Sequence, residues 1–139
     1  MVNDDIQAIV DDFDLLDDWD QRYQYLVEIG EQLPAMPAAE KTDENRVKEC
    51  MSLVHVAAHP DGGSPQRLHF SGDCDTAIIK GVVAILVRLL SGKTPAEIAA
   101  TDVDALFDGL HLQEHLSPSR HVGVYAIVEQ MRRQARGLP

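Results

Sequence analysis

The sequence predicts an α+β domain in which a small antiparallel sheet, of two to three strands, packs against several helices. Apolar residues recur at helical spacing near both ends of the chain, whereas residues 46–72 contain β-branched and alternating stretches. Residues 76–90 are apolar on nearly every side, which is typical of a helix buried in a core. A length of 139 residues is that of one domain, so we expect a single domain over residues 1–139.

Caps and breakers set the order of the expected elements. Two helices precede residues 34–45, where Pro34 and Pro37 end helical structure and predict an extended loop. Residues 52–58 and 68–70 predict two strands, with a short third strand near Arg46. Helices are expected to begin near Asn3, Asp18, Thr76, Thr94, Asp102 and Ser117. The buried face of the last helix is expected to hold Val124, Ile127, Val128, Met131 and Ala135.

The chain has a formal net charge of −11, and its acidic residues are concentrated in the N-terminal third. Such a surface argues against a nucleic-acid-binding protein, because phosphate contacts need clustered Lys and Arg, and against docking on anionic membranes. The longest apolar run, residues 81–87, is too short to span a bilayer, and the chain does not begin like a secretory signal. We therefore expect a cytoplasmic protein, without nucleic-acid or membrane partners, whose thiols stay reduced.

Cys50 is the strongest candidate for chemistry. It follows the extended loop, where reactive groups are often held by a rigid scaffold, and Arg46 and Lys48 are near enough in sequence to stabilise a thiolate. A shielded thiol at such a position can accept a sulfur atom, hold it as a persulfide and release it. The alternative is that Cys50 is a small buried core residue.

Cys74 has a weaker claim to reactivity. It precedes the buried helix, whose N-terminus lowers a thiol pKa, but Asp73 and Asp75 on either side raise it. Because these effects roughly offset each other, we expect Cys74 to be a structural residue at the start of the helix.

Two segments carry a family resemblance. Residues 44–54, ENRVKECMSLV, resemble the active-loop motif E-N-R-V-x-G-C-x-S-x-V-W of the SufE family, and residues 71–81 resemble its G-D-S-D-A-x-I-V-K-G motif. Residues 91–95 and 116–120 match two further marks of the family in the same order, and the stretch from Leu33 to Pro37 matches its proline-rich approach to the loop. The resemblance covers about residues 10 to 135.

The resemblance implies a function in sulfur transfer. SufE-like proteins are α+β domains that take sulfur from a SufS-type cysteine desulfurase, which contains pyridoxal phosphate. The sulfur is held as a persulfide on the loop cysteine, here Cys50, and is passed to a SufBCD-type scaffold complex for iron–sulfur cluster assembly. The carrier also stimulates the desulfurase. The pyridoxal phosphate belongs to the partner, so the chain is expected to need no cofactor or metal and to act as a sulfurtransferase-like carrier, not as a stand-alone enzyme.

The resemblance also suggests roles for the residues around Cys50. Asn45 and Arg46 are expected to position the tip of the loop. Asp73, Asp75 and Arg120 are candidate contacts with the desulfurase, although each of them is equally consistent with a structural role.

Three positions depart from the family motifs. Glu49 replaces the glycine before the cysteine, which suggests a stiffer loop tip and adds a negative charge beside the thiol. His55 replaces a tryptophan, and Cys74 replaces a serine. We expect these changes to affect the efficiency of the function that the resemblance implies more than its kind.

Two other functions remain open at this point. A cluster scaffold-like metal-binding protein would bring together Cys50, Cys74, Asp73 and a histidine, although two thiols are few for a stable cluster. A non-catalytic regulator would dock on the desulfurase without taking sulfur, and its effect would survive the loss of Cys50.

Overall fold

A computed structural model describes residues 4–50, 52–112 and 118–137, without the side chains of residues 4, 5 and 118–121. Its elements in chain order are α1 (Asp4–Leu15), α2 (Trp19–Glu31), a 3₁₀ turn (Ala38–Glu40), β1 (Val54–Pro60), β2 (Leu68–Cys74), α3 (Ala77–Leu90), α4 (Pro95–Ala100), α5 (Val103–Gly109) and α6 (Pro118–Arg136). The predicted α+β class is confirmed. The expected cap of the first helix, Asn3, lies outside the described residues.

The sheet consists of β1 and β2, which pair antiparallel from Val54 opposite Cys74 to Pro60 opposite Leu68. The short third strand expected near Arg46 is reduced to a single bridge with β1. β2 also runs past residue 70 and through Gly72, to Cys74. A Cβ at Gly72 would lie 2.8 Å from Cγ1 of Val83, so this glycine allows the strand to approach α3 closely and does not end it.

α3 is the spine of the core, as its apolar sequence predicts. It packs against α2 and β2 and also contacts α1 and α6. The α2–α3 crossing is a backbone contact, because a Cβ at Gly30 would lie 2.9 Å from the amide nitrogen of Gly81. A Cβ at Gly81 would likewise lie 2.7 Å from the carbonyl carbon of Leu26. Both glycines are therefore required by the distance between the helices.

α6 packs against β1 and α4. The predicted face of this helix is buried: Val124, Ile127, Val128, Met131 and Ala135. The predicted capping box is also present at α4, since the Thr94 hydroxyl accepts from the Glu97 amide at 3.2 Å and the Glu97 carboxylate accepts from the Thr94 amide at 3.0 Å. In the described part of the chain, no helix has both the length and the apolar character that crossing a membrane requires.

Candidate functional site

Cys50 lies near the end of the loop between the 3₁₀ turn and β1, of which the structure describes residues 41–50, 52 and 53. Its amide donates to the carbonyl of Val47 at 3.3 Å, which closes a tight turn. Its side chain belongs to the hydrophobic core cluster, only 9% of the residue is exposed, and the thiol is free. A nucleophilic group is thus shielded from solvent while it lies in a segment without regular secondary structure.

Asn45 ties the first half of this loop to three other parts of the fold. Its side-chain amide donates to the carbonyl of Glu40 at 2.7 Å, and its backbone carbonyl accepts from the Val56 amide at 2.9 Å. Its side-chain oxygen accepts from Gln134 on α6 at 3.3 Å. These bonds fix the path of the chain toward Cys50.

The next two residues join the loop to the start of β1. Arg46 forms an antiparallel bridge with His55, and the Val47 amide donates to the carbonyl of Val54 at 2.9 Å. Val47 is fully buried, whereas Arg46 is exposed. Arg46 therefore holds the loop through its backbone, four residues before the thiol.

The second half of the loop is held by residues at the end of β2. The Asp75 carboxylate accepts from the Leu53 amide at 3.0 Å, and the Asp75 amide donates to the Leu53 carbonyl at 3.2 Å. The hydroxyls of Ser52 and Thr76 are 2.7 Å apart, within hydrogen-bonding distance. Cys50 consequently lies between two attachments of the loop.

Asp73 has basic partners in the fold. One carboxylate oxygen lies 2.8 Å from Nζ of Lys41, and the other lies 3.5 Å from Nζ of Lys80. Burial alone would raise the pKa of Asp73, but the hydrogen bond from Lys41, the amide of Cys74 and the two lysine charges hold it below its usual range. The third candidate docking residue, Arg120, lies in α6, and its side chain is outside the described residues.

Cys74 is not at the start of a helix, as the sequence suggested, but is the last residue of β2. Only 7% of it is exposed, and burial is the main cause that raises the pKa of its thiol to about 11. The amide of Thr76, 3.4 Å from the sulfur, lowers the pKa, while the negative charges of Asp75, an ionised Cys50 and Asp73 raise it. The effects that raise and lower the pKa of Cys74 therefore do not offset each other, as the sequence suggested they would. The side chain is buried in the core, where a thiolate is poorly solvated.

The two other departures from the family motifs differ in their exposure to solvent. His55 is buried in β1, opposite Asp73 in the sheet. Glu49 is exposed, and it lines a groove of about 540 Å³ together with Asp104 and Tyr125. The first change therefore alters packing beneath the loop, and the second alters the charge of the surface beside the thiol.

Gly123 of α6 lies against the thiol, a contact that the sequence did not predict. A Cβ built at this position would lie 2.8 Å from Sγ of Cys50 and 3.3 Å from its Cα and Cβ atoms. The only signal in the sequence was a glycine inside a predicted helix, where it lowers helix stability without an evident purpose.

The described side chains do not favour a metal centre. Among them, no three or more His, Cys, Asp or Glu residues are arranged to hold a metal ion. Cys50, Cys74 and Asp73, which the cluster-scaffold alternative would bring together with a histidine, do not form such a group.

Comparisons with known proteins indicate one family. The family model described as SufE, an Fe–S metabolism associated domain, matches residues 7–135. An uncharacterized SufE-like protein of Rhizobium meliloti is 38% identical over 133 residues, which cover 95% of each chain. Another, from Rhizobium etli, is 39% identical over 133 residues, which cover 94% of this chain and 89% of the relative.

The fold is also similar to a solved structure. The solution structure of a hypothetical protein from Thermus thermophilus has a TM-score of 0.76 at 23% sequence identity and covers 98% of this chain and 96% of its own. The family match spans both attachments of the loop, Cys50 between them, and Gly123. The chain therefore belongs to the SufE family of Fe–S metabolism associated domains.

Proposed function

We propose that this chain is a sulfur carrier that accepts a sulfur atom on Cys50 from a SufS-type cysteine desulfurase, stimulates that enzyme, and relays the sulfur to iron–sulfur cluster assembly on a SufBCD-type scaffold complex. One observation carries the proposal: a free thiol, shielded by the core, lies in a loop held on both sides in a chain of the SufE family. The pyridoxal phosphate stays with the desulfurase. We propose that the protein acts in the cytoplasm, where both thiols stay reduced.

The transfer is an exchange between sulfur atoms. The Cys50 thiolate attacks the outer sulfur of a persulfide on the catalytic cysteine of the desulfurase. A new S–S bond forms at Cys50, the S–S bond on the partner breaks, and the partner's cysteine leaves as a thiolate that takes up a proton. No oxidant or reductant is consumed, and the freed cysteine can begin another cycle, which explains how a carrier stimulates its donor.

Shielding suits the resting carrier because an exposed thiolate is oxidised or exchanges with other thiols. The same shielding requires the tip of the loop to move outward when the desulfurase is bound. The attachments at Asn45 and Asp75 leave Cys50 between them, so a movement of the tip need not disturb β1 or α6. Loops of low local stability are well suited to such movements.

Exposed apolar side chains lie on both elements that border the thiol. Leu53, on the loop, is 43% exposed, and Val122, on α6 next to Gly123, is 60% exposed. Because the centre of a protein interface buries apolar side chains, we propose that these two contact the desulfurase. Asp73, Asp75 and Arg120 remain candidate polar contacts at the rim of this docking face.

The carrier function is tested by loading. The purified protein is incubated with a SufS-type desulfurase and cysteine, and its intact mass is measured without reductant. We expect a species heavier by about 32 Da, the mass of one sulfur atom, in the wild type and not in Cys50→Ser. A wild type that never gains this mass beside an active desulfurase contradicts the proposal. Full stimulation by Cys50→Ser would indicate the non-catalytic regulator instead.

The docking face is tested by a charge at Val122. We expect Val122→Asp to weaken desulfurase binding about tenfold, because a carboxylate would be buried at the centre of the interface. Titration of desulfurase stimulation against carrier concentration measures this change. Leu15→Asp is the matched control, since Leu15 is 79% exposed on α1, away from the loop in the chain. Equal effects of the two substitutions would exclude a specific role for Val122.

A further inference from the structure

Gly123 occupies a position in α6 that favours other residues. The helix runs from Pro118 to Arg136, so residue 123 lies in its interior, where alanine stabilises a helix better than glycine does. It lies between Val122, which is exposed, and Val124, which is buried. Gly123 has neither a positive φ nor a terminal position to explain it.

The contact with Cys50 provides the explanation. A methyl group at residue 123 would lie 2.8 Å from Sγ of Cys50, closer than real Cβ atoms approach other atoms, and 3.3 Å from the Cα and Cβ of the same cysteine. Rotation of the cysteine side chain can relieve the first contact. It cannot relieve the other two, because Cα and Cβ do not move with that rotation, so the loop backbone itself would have to retreat.

We propose that Gly123 is a positioning residue for sulfur transfer: the absence of its side chain lets the Cys50 thiol withdraw against the backbone of α6, and this clearance sets how well the thiol is shielded between encounters with the donor. The role in transfer rests on the proposed carrier function, whereas the clearance itself is a property of the free protein. The loop is held at Asn45 and at Asp75, so a retreat forced by residue 123 would be concentrated between these attachments, at Cys50.

Alkylation of the free protein tests the clearance, with Cys74 as an internal control. Cys50 and Cys74 are 9% and 7% exposed, and trypsin separates them because it cleaves after Lys48, Arg67 and Lys80. The protein is treated with iodoacetamide, and the modified fraction of each peptide is followed over time by mass spectrometry. In Gly123→Ala we expect Cys50 to react about tenfold faster than in the wild type, since overpacking shifts a local opening equilibrium by about this factor, and Cys74 to react at its wild-type rate.

Gly109→Ala is the matched control. A Cβ at Gly109 would make only ordinary contacts, 3.4 Å and 3.6 Å from the methyl groups of Val10, so neither thiol should become more reactive. Two outcomes overturn the proposal. If Gly123→Ala leaves Cys50 as protected as before, the clearance has no effect on shielding. If Cys50 and Cys74 react faster by the same factor, the substitution loosens the whole core and Gly123 has no specific relation to the loop.

A double-mutant cycle keeps the proposal testable even where Gly123→Ala is unstable. In a Cys50→Ala background the sulfur is gone, and the closest of the three contacts disappears. We therefore expect Gly123→Ala to lower the urea midpoint less in that background than in the wild type. Equal shifts in the two backgrounds would show that the contact with the sulfur adds nothing to the cost of the methyl group, and they would overturn the clearance proposed for the thiol.

The alkylation result and the loading result are independent. A wild type that is never loaded, combined with faster alkylation of Cys50 in Gly123→Ala, contradicts the carrier function but leaves the clearance intact. A wild type that gains one sulfur, combined with unchanged alkylation in Gly123→Ala, contradicts the clearance but leaves the carrier function intact.

Discussion

At the scale of single residues, burial alone does not separate the two cysteines. Both are almost inaccessible, but Cys50 lies in a loop between two attachments, whereas Cys74 ends a strand in which each residue from 68 to 74 is paired. Movement of a loop tip can expose Cys50 at a small cost, and exposure of Cys74 would require the sheet to open. This difference in local stability is why we assign the sulfur to Cys50 and a core role to Cys74.

The raised pKa of Cys74 gives a pH test of that assignment. A thiol whose pKa is about 11 in the folded protein, against an ordinary value of 9.0, contributes stability that is complete below pH 9 and is lost as the pH rises through 11. One pKa unit corresponds to about 1.4 kcal/mol, so the loss is about 2–3 kcal/mol. We expect Cys74→Ser, which has no group titrating there, to lose less stability than the wild type between pH 9 and 11 in urea unfolding.

The same variant should still be loaded with sulfur, because the serine hydroxyl would keep an acceptor for the amide of Thr76 while Cys50 is untouched. Parallel stability profiles of the two proteins would mean that the Cys74 thiol titrates in its ordinary range. Loss of loading would mean that Cys74 takes part in the transfer.

At the scale of elements, a carboxylate makes one of the hydrogen bonds that attach the loop to the end of β2. We expect Asp75→Ala to free the Leu53 amide and to lower the free energy of unfolding by about 1 kcal/mol, a typical value for one hydrogen bond. Because the freed segment adjoins Cys50, iodoacetamide should modify Cys50 several-fold faster. Asp75→Asn is the matched control, since its side-chain oxygen can still accept from Leu53. If both variants protect Cys50 as the wild type does, the hydrogen bond from Leu53 to the Asp75 side chain does not hold the loop.

The elements also show which features a sequence can reveal. The buried helix α3, the apolar face of α6 and the capping box at Thr94 follow from local periodicity and capping chemistry, and all three are present. The end of β2 does not follow from local chemistry, because Gly72 is typical of a turn until Val83 of α3 is known to lie against it. The short third strand expected near Arg46 is reduced to one bridge with His55, because the Asn45 side chain is bonded to Glu40 and to Gln134 and the pairing with β1 does not continue.

The candidate site was predictable to a similar extent. Cys50, Asn45 and Arg46 are close in the sequence and share one motif, so they were found together. Gly123 belongs to a helix far away in the chain. Its contact with Cys50 is visible only in the tertiary structure, where α6 packs against the loop. Local patterns therefore singled out Cys50 as the candidate thiol, whereas the surface that shields it required the tertiary structure.

At the scale of the whole molecule, glycines allow close approach at two different kinds of contact. Gly123 lets a loop approach a helix, while Gly30 and Gly81 let the backbones of α2 and α3 touch at the centre of the core. A loop has room to retreat, but two packed helices do not, because interiors are close-packed and transmit strain. Similar substitutions at the two places should therefore have different consequences.

Gly81→Ala tests this contrast. Its methyl group would meet the carbonyl group of Leu26, with the carbonyl carbon 2.7 Å away, so α2 and α3 would have to separate along their contact. We expect the free energy of unfolding to fall by about 3 kcal/mol or more, the upper end for an overpacked core, in urea unfolding, with Gly109→Ala close to the wild type. Cys50 and Cys74 should then both react faster with iodoacetamide, because the core opens as one unit. A stability close to that of the wild type would show that the helices can separate cheaply and that the glycines at this crossing are not required by the fold.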